Sequence, residues 1–327
     1  MARLFIDGFE HGDLGLWDTH TDISLNSGGL ITGAYSAYLT PNVFLEKNVT
    51  ASHEVYMAFR AWSSTLASVT VQCYDASDKL QCTIEILKYG SASDTLCIDI
   101  HNSASAVEGT EVDRQFCSAS GCYHVQIRFV NNSADNKNVQ VKINNQQITD
   151  ALFTNPTPDG VTTAKIRIYG PYSYVDDIII DDANWPGAPF IYGLTPHGDG
   201  ATTEWTPSAG AAHYPLVDEI PASSTDYVSS TTSGEVELYT FSNLPDTDYW
   251  SVNSVQVSAY AKTPGPPEDE YLQLGVRHAG ANYFGAPVQL STDFTQHATI
   301  FENNPLTGSA WTQDDVHSGE FGFKEVS

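Results

Sequence analysis

Forty carboxylates dominate the reactive groups of this chain, and two of their clusters have spacings that could make ligands or catalysts of them. In Tyr174-Val-Asp-Asp-Ile-Ile-Ile-Asp-Asp182, Asp176 or Asp177 and Asp181 or Asp182 stand at the two ends of an apolar strand. With Asp7 and Glu10 near the other terminus of the same domain, their hard oxygens suit calcium. The metal site expected is therefore Asp7, Asp176, Asp177 and Asp181, with calcium the only cofactor and no cofactor-binding motif besides. A glycoside-cleaving pair needs two carboxylates on one face at ~5 Å. No Glu-x-Asp-x-x-Glu pattern supplies one; the nearest stretch, Cys97-Ile-Asp-Ile-His101, gives Asp99 alone, which reads as a strand residue.

The ten histidines include no His-x-x-x-His pair and no Ser/His/Asp order in a strand-turn-helix setting, so zinc hydrolysis and acyl transfer have no foothold. His213 is expected to fix a turn, and Gly28-Gly29 and Gly198-Asp-Gly200 read as turns rather than phosphate loops. No catalytic residue is assigned, and a non-enzymatic role is expected. All five cysteines, Cys73, Cys82, Cys97, Cys117 and Cys122, lie in the first half without CxxC or Cys/His spacing. They read first as buried free thiols; Cys117 and Cys122 are the candidates for a disulfide after oxidation, and the odd count leaves one thiol for a bond between subunits. Asn48-Val-Thr50 and Asn131-Asn-Ser133 match the N-glycosylation triplet and are discounted for want of a signal peptide. Tyr172, Tyr174, Trp185, Tyr192 and Trp250, at loop positions, suit sugar stacking or a subunit interface, the interface being favoured.

The elements that must position these groups are strands. Helical periodicity is close to absent, while two-residue alternation recurs along the chain. In Tyr123-His-Val-Gln-Ile-Arg-Phe-Val130 the side chains of Tyr123, Val125, Ile127 and Phe129 point one way and those of His124, Gln126 and Arg128 the other. Asn138-Val-Gln-Val-Lys-Ile-Asn144 repeats the scheme, so Val139, Val141 and Ile143 should share that core across a polar hairpin loop at 131–137. About ten such segments precede Asp182. A chain of 327 residues has room for two cores, and the breakers Asn184-Trp-Pro-Gly-Ala-Pro189 and Thr195-Pro-His-Gly-Asp-Gly200 mark the boundary. The expected fold is all-β, two tandem antiparallel β-sandwich, jelly-roll-like domains: 1–183, a linker at 184–202, and a C-terminal module at 203–327. Lys262-Thr-Pro-Gly-Pro-Pro-Glu-Asp-Glu270 reads as an exposed hairpin tip.

A formal charge of −26 makes nucleic acid and anionic lipid poor partners. No apolar run reaches the ~18 residues of a membrane helix, and Met1-Ala-Arg-Leu-Phe-Ile-Asp7 lacks a secretory signal, so neither membrane insertion nor export of the chain's own accord is expected.

Phe5-Ile-Asp-Gly-Phe-Glu-His-Gly-Asp-Leu-Gly-Leu-Trp17, Gly33-Ala-Tyr-Ser-Ala-Tyr-Leu39 and Tyr174-Val-Asp-Asp-Ile-Ile-Ile-Asp181 resemble laminin-G-like or concanavalin-A-like jelly rolls, a likeness covering about residues 1 to 182. In the second half, Pro196-His-Gly-Asp-Gly-Ala-Thr-Thr-Glu-Trp-Thr-Pro-Ser208, His213-Tyr-Pro-Leu-Val-Asp-Glu219, Thr225-Asp-Tyr-Val-Ser-Ser230 and Pro305-Leu-Thr-Gly-Ser-Ala-Trp-Thr312 to Glu320-Phe-Gly-Phe-Lys324 resemble tailed-bacteriophage virion proteins. That resemblance implies a structural protein of the virion (a fibre, collar or decoration subunit of tail or head), homo-oligomeric and commonly trimeric. It would be made in the bacterial cytoplasm, assemble with other virion proteins, and could bind host-surface glycan. A free carbohydrate-binding, lectin-like module is the alternative, and a glycan-cleaving enzyme the third reading.

Overall fold

The computed structural model describes residues 3–28, 31–63, 68–89, 95–102, 104–105, 107–113, 121–133, 136–153, 162–245, 251–265 and 270–326. The chain is nearly all β, as the alternation demands, and its sheets form jelly-roll-like sandwiches. It divides into two compact units, 1–10 with 17–191, and 11–16 with 192–327.

The first unit is built from an eight-stranded and a seven-stranded antiparallel sheet. The larger runs Gln146–Phe153, Asn136–Ile143, Gly121–Ser133, Glu54–Ser63, Ser173–Asp181, Ser36–Leu39 and Ser24–Asn26, with Arg3–Asp7 also paired to Ser173–Asp181. The smaller runs Val107–Asp113, Thr95–Asn102, Leu80–Tyr89, Ser68–Tyr74, Thr163–Tyr169, Phe44–Ser52 and Thr19–His20. The register follows the hydrophobic pattern. Val125 faces Ile143, Ile127 faces Val141 and Phe129 faces Val139, all six buried in one core as the sequence requires. Leu45, Val69, Val71, Ile84, Ile86, Ile98, Ile100, Ile166 and Ile168 line the smaller sheet's core side. Each such side chain contributes about 1.5–3 kcal/mol on leaving water.

Two expectations for this unit need correction. The stretch 131–137 is not simply a polar loop: both strands extend into it, and Asn131 and Lys137 are fully buried. The Lys137 ammonium donates to Asn131 Oδ1 and, at 3.0 Å, to Gln81 Oε1, while the Gln81 amide reaches Asp75 Oδ2 at 3.3 Å. A buried charge is tolerated only when so partnered, and this network ties the two sheets together. His124 and Gln126 lie on the strand face opposite the core, as the alternation places them, yet they are 3% and 1% exposed. The segment 184–191, read as linker, crosses their face: Gly187 N donates to Gln126 Oε1 at 3.1 Å, and Trp185 packs edge-on against Tyr56 and under the Lys142 ammonium.

In the second unit a six-stranded sheet runs Pro196–Thr203, Val236–Phe241, Glu320–Val326, Tyr271–His278 and Ala281–Phe284, with Val288–Gln289 on Tyr271–His278. Val255–Ala261 pairs with Thr295–Phe301 as a separate ribbon. Its core gathers Val257, Leu272, Leu274, Val276, Leu290, Trp311, Val316 and Phe321. Pro196–Thr203, assigned to the linker from its proline and glycines, is an edge strand, a position that tolerates both residues. The 262–270 segment is no hairpin tip either, because the strands on its two sides pair in different sheets; residues 266–269 lie outside the described ones. Gln313–Ser318 is a short helix started by a capping box, Thr312 Oγ1 accepting from Asp315 N and the Asp315 carboxylate from Thr312 N.

Candidate functional site

With Leu45, Val71, Ile84, Ile100 and Ile168 turned inward, the same alternation turns polar and aromatic side chains of the seven-stranded sheet outward. Strand register arranges them in rows. One row runs Phe44, Tyr169, Thr70, Glu85 and Asp99; the next runs Glu46, Arg167, Gln72, Thr83 and His101.

Arg167 organises the near end of this face. Its Nε and Nη2 both bond Glu46 Oε2, at 2.9 and 2.6 Å, and its Nη1 donates to the Tyr74 hydroxyl at 3.4 Å. Tyr74 in turn donates to Gln72 Oε1 at 2.6 Å, and the Gln72 amide donates to Thr83 Oγ1 at 3.2 Å. The guanidinium lies 4.5 Å from the Phe44 ring centre and 5.1 Å from that of Tyr74. Lys165 joins Glu46, at 3.3 Å, to Asp78. Side chains tied at both ends keep one rotamer, so the face presents a fixed pattern of donors and rings. Beside it opens a cleft of about 400 Å³ lined by Pro41, Asn42, Val43, Phe44, Gln72, Arg167, Tyr169, Gly170 and Pro171. Burial raises the Tyr169 and Tyr74 phenols above their ordinary range, so both remain neutral donors at physiological pH.

At the far end Glu85 stands directly across the ladder from Asp99, and His101 follows two residues on, on the same face. One ligand atom from each lies within 4.8 Å of the other two, and His101 Nε2 is 3.7 Å from Glu85 Oε2. Among the described residues these three could hold a metal ion. Sequence reasoning took Asp99 for a strand residue and passed over Glu85 and His101. The Asp99 and His101 spacing of two was the available signal, but their meeting with Glu85 depends on a pairing register that spacing alone does not set.

The four aspartates of the expected calcium site do not supply such a cluster. Asp7 accepts from Phe9 N at 2.7 Å and from Trp17 Nε1 at 2.8 Å. Asp181 accepts from Ala183 N and Asn184 N, at 2.8 and 3.0 Å, and lies 3.8 Å from Arg3 Nε. Asp176 and Asp177 do meet, because a bulge with Asp177 at φ +51° shifts the register between Asp176 and Ile179. Asp177 Oδ2 forms an ion pair with Arg60, 2.9 Å from its Nε, and Asp177 Oδ1 accepts from Ile191 N at 2.7 Å. Thr32 Oγ1 sits 2.6 Å from Asp177 Oδ2 and 3.1 Å from Asp176 Oδ2. A hydroxyl has one proton to give. Thr32 Oγ1 therefore donates to one of the two carboxylates at a time, while Thr32 N donates to Asp176 Oδ2 at 3.2 Å. Burial, then the charge of Asp177, pushes the Asp176 carboxyl up to about 8, and burial also raises Asp177.

Of the disulfide candidates, Cys122 is exposed and free, and Cys117 lies outside the described residues. Tyr174 stacks on Tyr38 at 4.5 Å and meets Trp62 edge-on at 5.4 Å, whereas Tyr172 is exposed at a turn. Tyr192 is half-buried, and Trp250 lies outside the described residues. The His213 backbone N–H donates to Asp199 Oδ1 at 3.0 Å, and its ring Nδ1 lies 2.8 Å from the fully buried carboxylate of Glu237 on strand Val236–Phe241.

No protein-family model matches the chain, and no curated protein matches it. Solved structures similar to it are jelly rolls. A carbohydrate esterase from the Shiga toxin-encoding bacteriophage phi24B is 17% identical over 55% of this chain and 97% of its own, with a TM-score of 0.39. An alginate lyase variant in complex with alginate trisaccharide is 12% identical over 46% of this chain and 82% of its own, at 0.35. A tetrameric galectin from the ball sponge Cinachyrella is 10% identical over 41% and 96%, at 0.31.

Proposed function

We propose that this chain is a non-enzymatic structural and binding component of a bacteriophage particle, and that its first unit takes a host-surface glycan in the cleft of the seven-stranded sheet. The observation that carries the binding reading is the cleft itself. Phe44 and Tyr169 offer flat apolar faces, while Gln72, Asn42 and the phenol of Tyr169 offer the mixed donors and acceptors that sugar hydroxyls require. Arg167 is held by Glu46, which leaves its outer edge oriented without a search. The setting in a particle rests on the second-half motifs and on the charge of −26, which suits a protein displayed at high local density. Open sheet edges such as Gln146–Phe153, where Leu152 is 72% exposed, suit contacts with further copies or other virion proteins. A homotrimer is the expected assembly.

The test is a bacterial-glycan array probed with the full chain and with Tyr169→Ala. Saturable binding by the parent that falls about tenfold in the variant, as loss of one stacking ring predicts, supports the reading. An array without signal overturns glycan binding, and sugar released from a bound glycan overturns the non-enzymatic role. Light scattering at high concentration checks the oligomer: a clean monomer contradicts the trimer.

A further inference from the structure

The geometry points to a divalent transition-metal site formed by Glu85, Asp99 and His101 on the outer face of the seven-stranded sheet. Three observations converge on it. First, Glu85 and Asp99 are directly opposed across an antiparallel ladder, an arrangement in which like charges destabilise the pairing and a shared cation relieves it. Second, one oxygen from each carboxylate and one imidazole nitrogen all lie within 4.8 Å of one another. Third, the Nε2 atom of His101 is buried and makes no hydrogen bond, although it points at Glu85 Oε2 from 3.7 Å.

That separation discriminates between the two ways of using the pair. A hydrogen bond from imidazole to carboxylate closes to ~2.9 Å. Two ligands of one ion, each at ~2.0–2.2 Å and spread over a tetrahedral angle, stand ~3.4 Å apart, close to the spacing found. The donor set also selects the metal. Calcium takes six to eight oxygens, whereas one imidazole with two carboxylates suits zinc, manganese or cobalt and leaves coordination positions open to water or to an oxygen ligand. The carboxylates sit on neighbouring strands and His101 shares a strand with Asp99, so the sheet fixes the tripod before any ion arrives.

The test uses the full chain freed of metal and titrated with Co²⁺ alone, followed by calorimetry and by the visible absorption of the bound ion, then with Zn²⁺ and Ca²⁺. The expected result is one saturable Co²⁺ or Zn²⁺ per chain, with a ligand-field band and little response to Ca²⁺. His101→Asn and Glu85→Gln should each weaken binding at least about tenfold, while His197→Ala, at an exposed histidine of the second unit, leaves it unchanged. Glu85 is half-exposed, so Glu85→Gln remains informative should His101→Asn fail to fold. Absence of saturable binding, or equal affinity in parent and both ligand variants, overturns the site. Because the readout is the ion alone, this outcome is independent of whether any glycan binds.

Discussion

On the eight-stranded sheet, the outward residues His124, Gln126, Asp176 and Asp177 are as buried as a core, whereas on the seven-stranded sheet Gln72, Arg167 and Tyr169 stand half-exposed. The residue types are alike; what differs is the chain segment above them. Over the first face, Trp185, Gly187, Ala188, Phe190 and Ile191 supply a lid of backbone donors, a carbonyl and rings, including the Phe190 ring 4.1 Å from the Arg60 guanidinium. Asp176, Asp177 and Gln126 find partners there, while both ring nitrogens of His124 are buried without a hydrogen bond, and titration is displaced: the Asp176 carboxyl is pushed up to about 8, and burial, helped by Arg60, pushes the His124 imidazole down to about 4. On the second face Glu46, Thr70 and Thr83 are buried as well, but Gln72, Arg167 and Tyr169 hold their places while keeping an edge toward water. The surface available to a ligand is thus the one whose groups are networked but uncovered.

The sharpest way to break this contrast is to remove one arginine from each face. Arg60→Ala leaves Asp177 buried without its cation and should cost about 3–5 kcal/mol in chemical denaturation. Arg167→Ala should cost only about 1–2 kcal/mol, since Glu46 keeps Lys165. Equal losses would mean the two faces are energetically alike. Next in size is the pH response of Asp176. Its carboxyl titrates near 8 in the folded chain against an ordinary 3.8. The stability it contributes is therefore complete below the ordinary value and is lost as pH rises toward 8. Thermal melting of the parent should fall across that window relative to Asp176→Asn, and parallel curves would remove the proton from Asp176. A smaller effect separates binding from stability on the open face: Gln72→Ala should change stability by no more than about 1 kcal/mol while weakening glycan capture on the array. The smallest lies outside both faces, where Thr312→Ala removes one cap and costs about 1 kcal/mol.

The two-sandwich architecture and its core faces were legible because the side-chain period of a strand is two, so Tyr123, Val125, Ile127 and Phe129 could be placed together without knowing their neighbours. What lay beyond that reading depended on pairing between distant segments. Glu85, Asp99 and His101 become a group only once their strands are adjacent in a particular register. The burial of His124 and Gln126 follows from a Pro- and Gly-rich stretch lying on a sheet, and that stretch reads locally as a linker. Asp176 and Asp177 were noticed as acids but assigned to a cation, because a bulge and the hydroxyl of Thr32, 144 residues away from Asp176, provide the alternative. Pro196–Thr203 was lost for a similar reason: its proline and glycines signal a break unless the strand is known to sit at an edge.

Cys73 and Cys82 face each other across neighbouring strands, both buried and unbridged, and burial pushes the Cys73 thiol up to about 12 and that of Cys82 higher than usual as well. Alkylating reagents attack thiolates, and a sequestered thiol forms almost none. The pair is consequently a built-in stopwatch: mass-resolved labelling of these two sulfurs should advance only as fast as the seven-stranded sheet lifts from its partner, while the exposed Cys122 is modified without waiting for that opening.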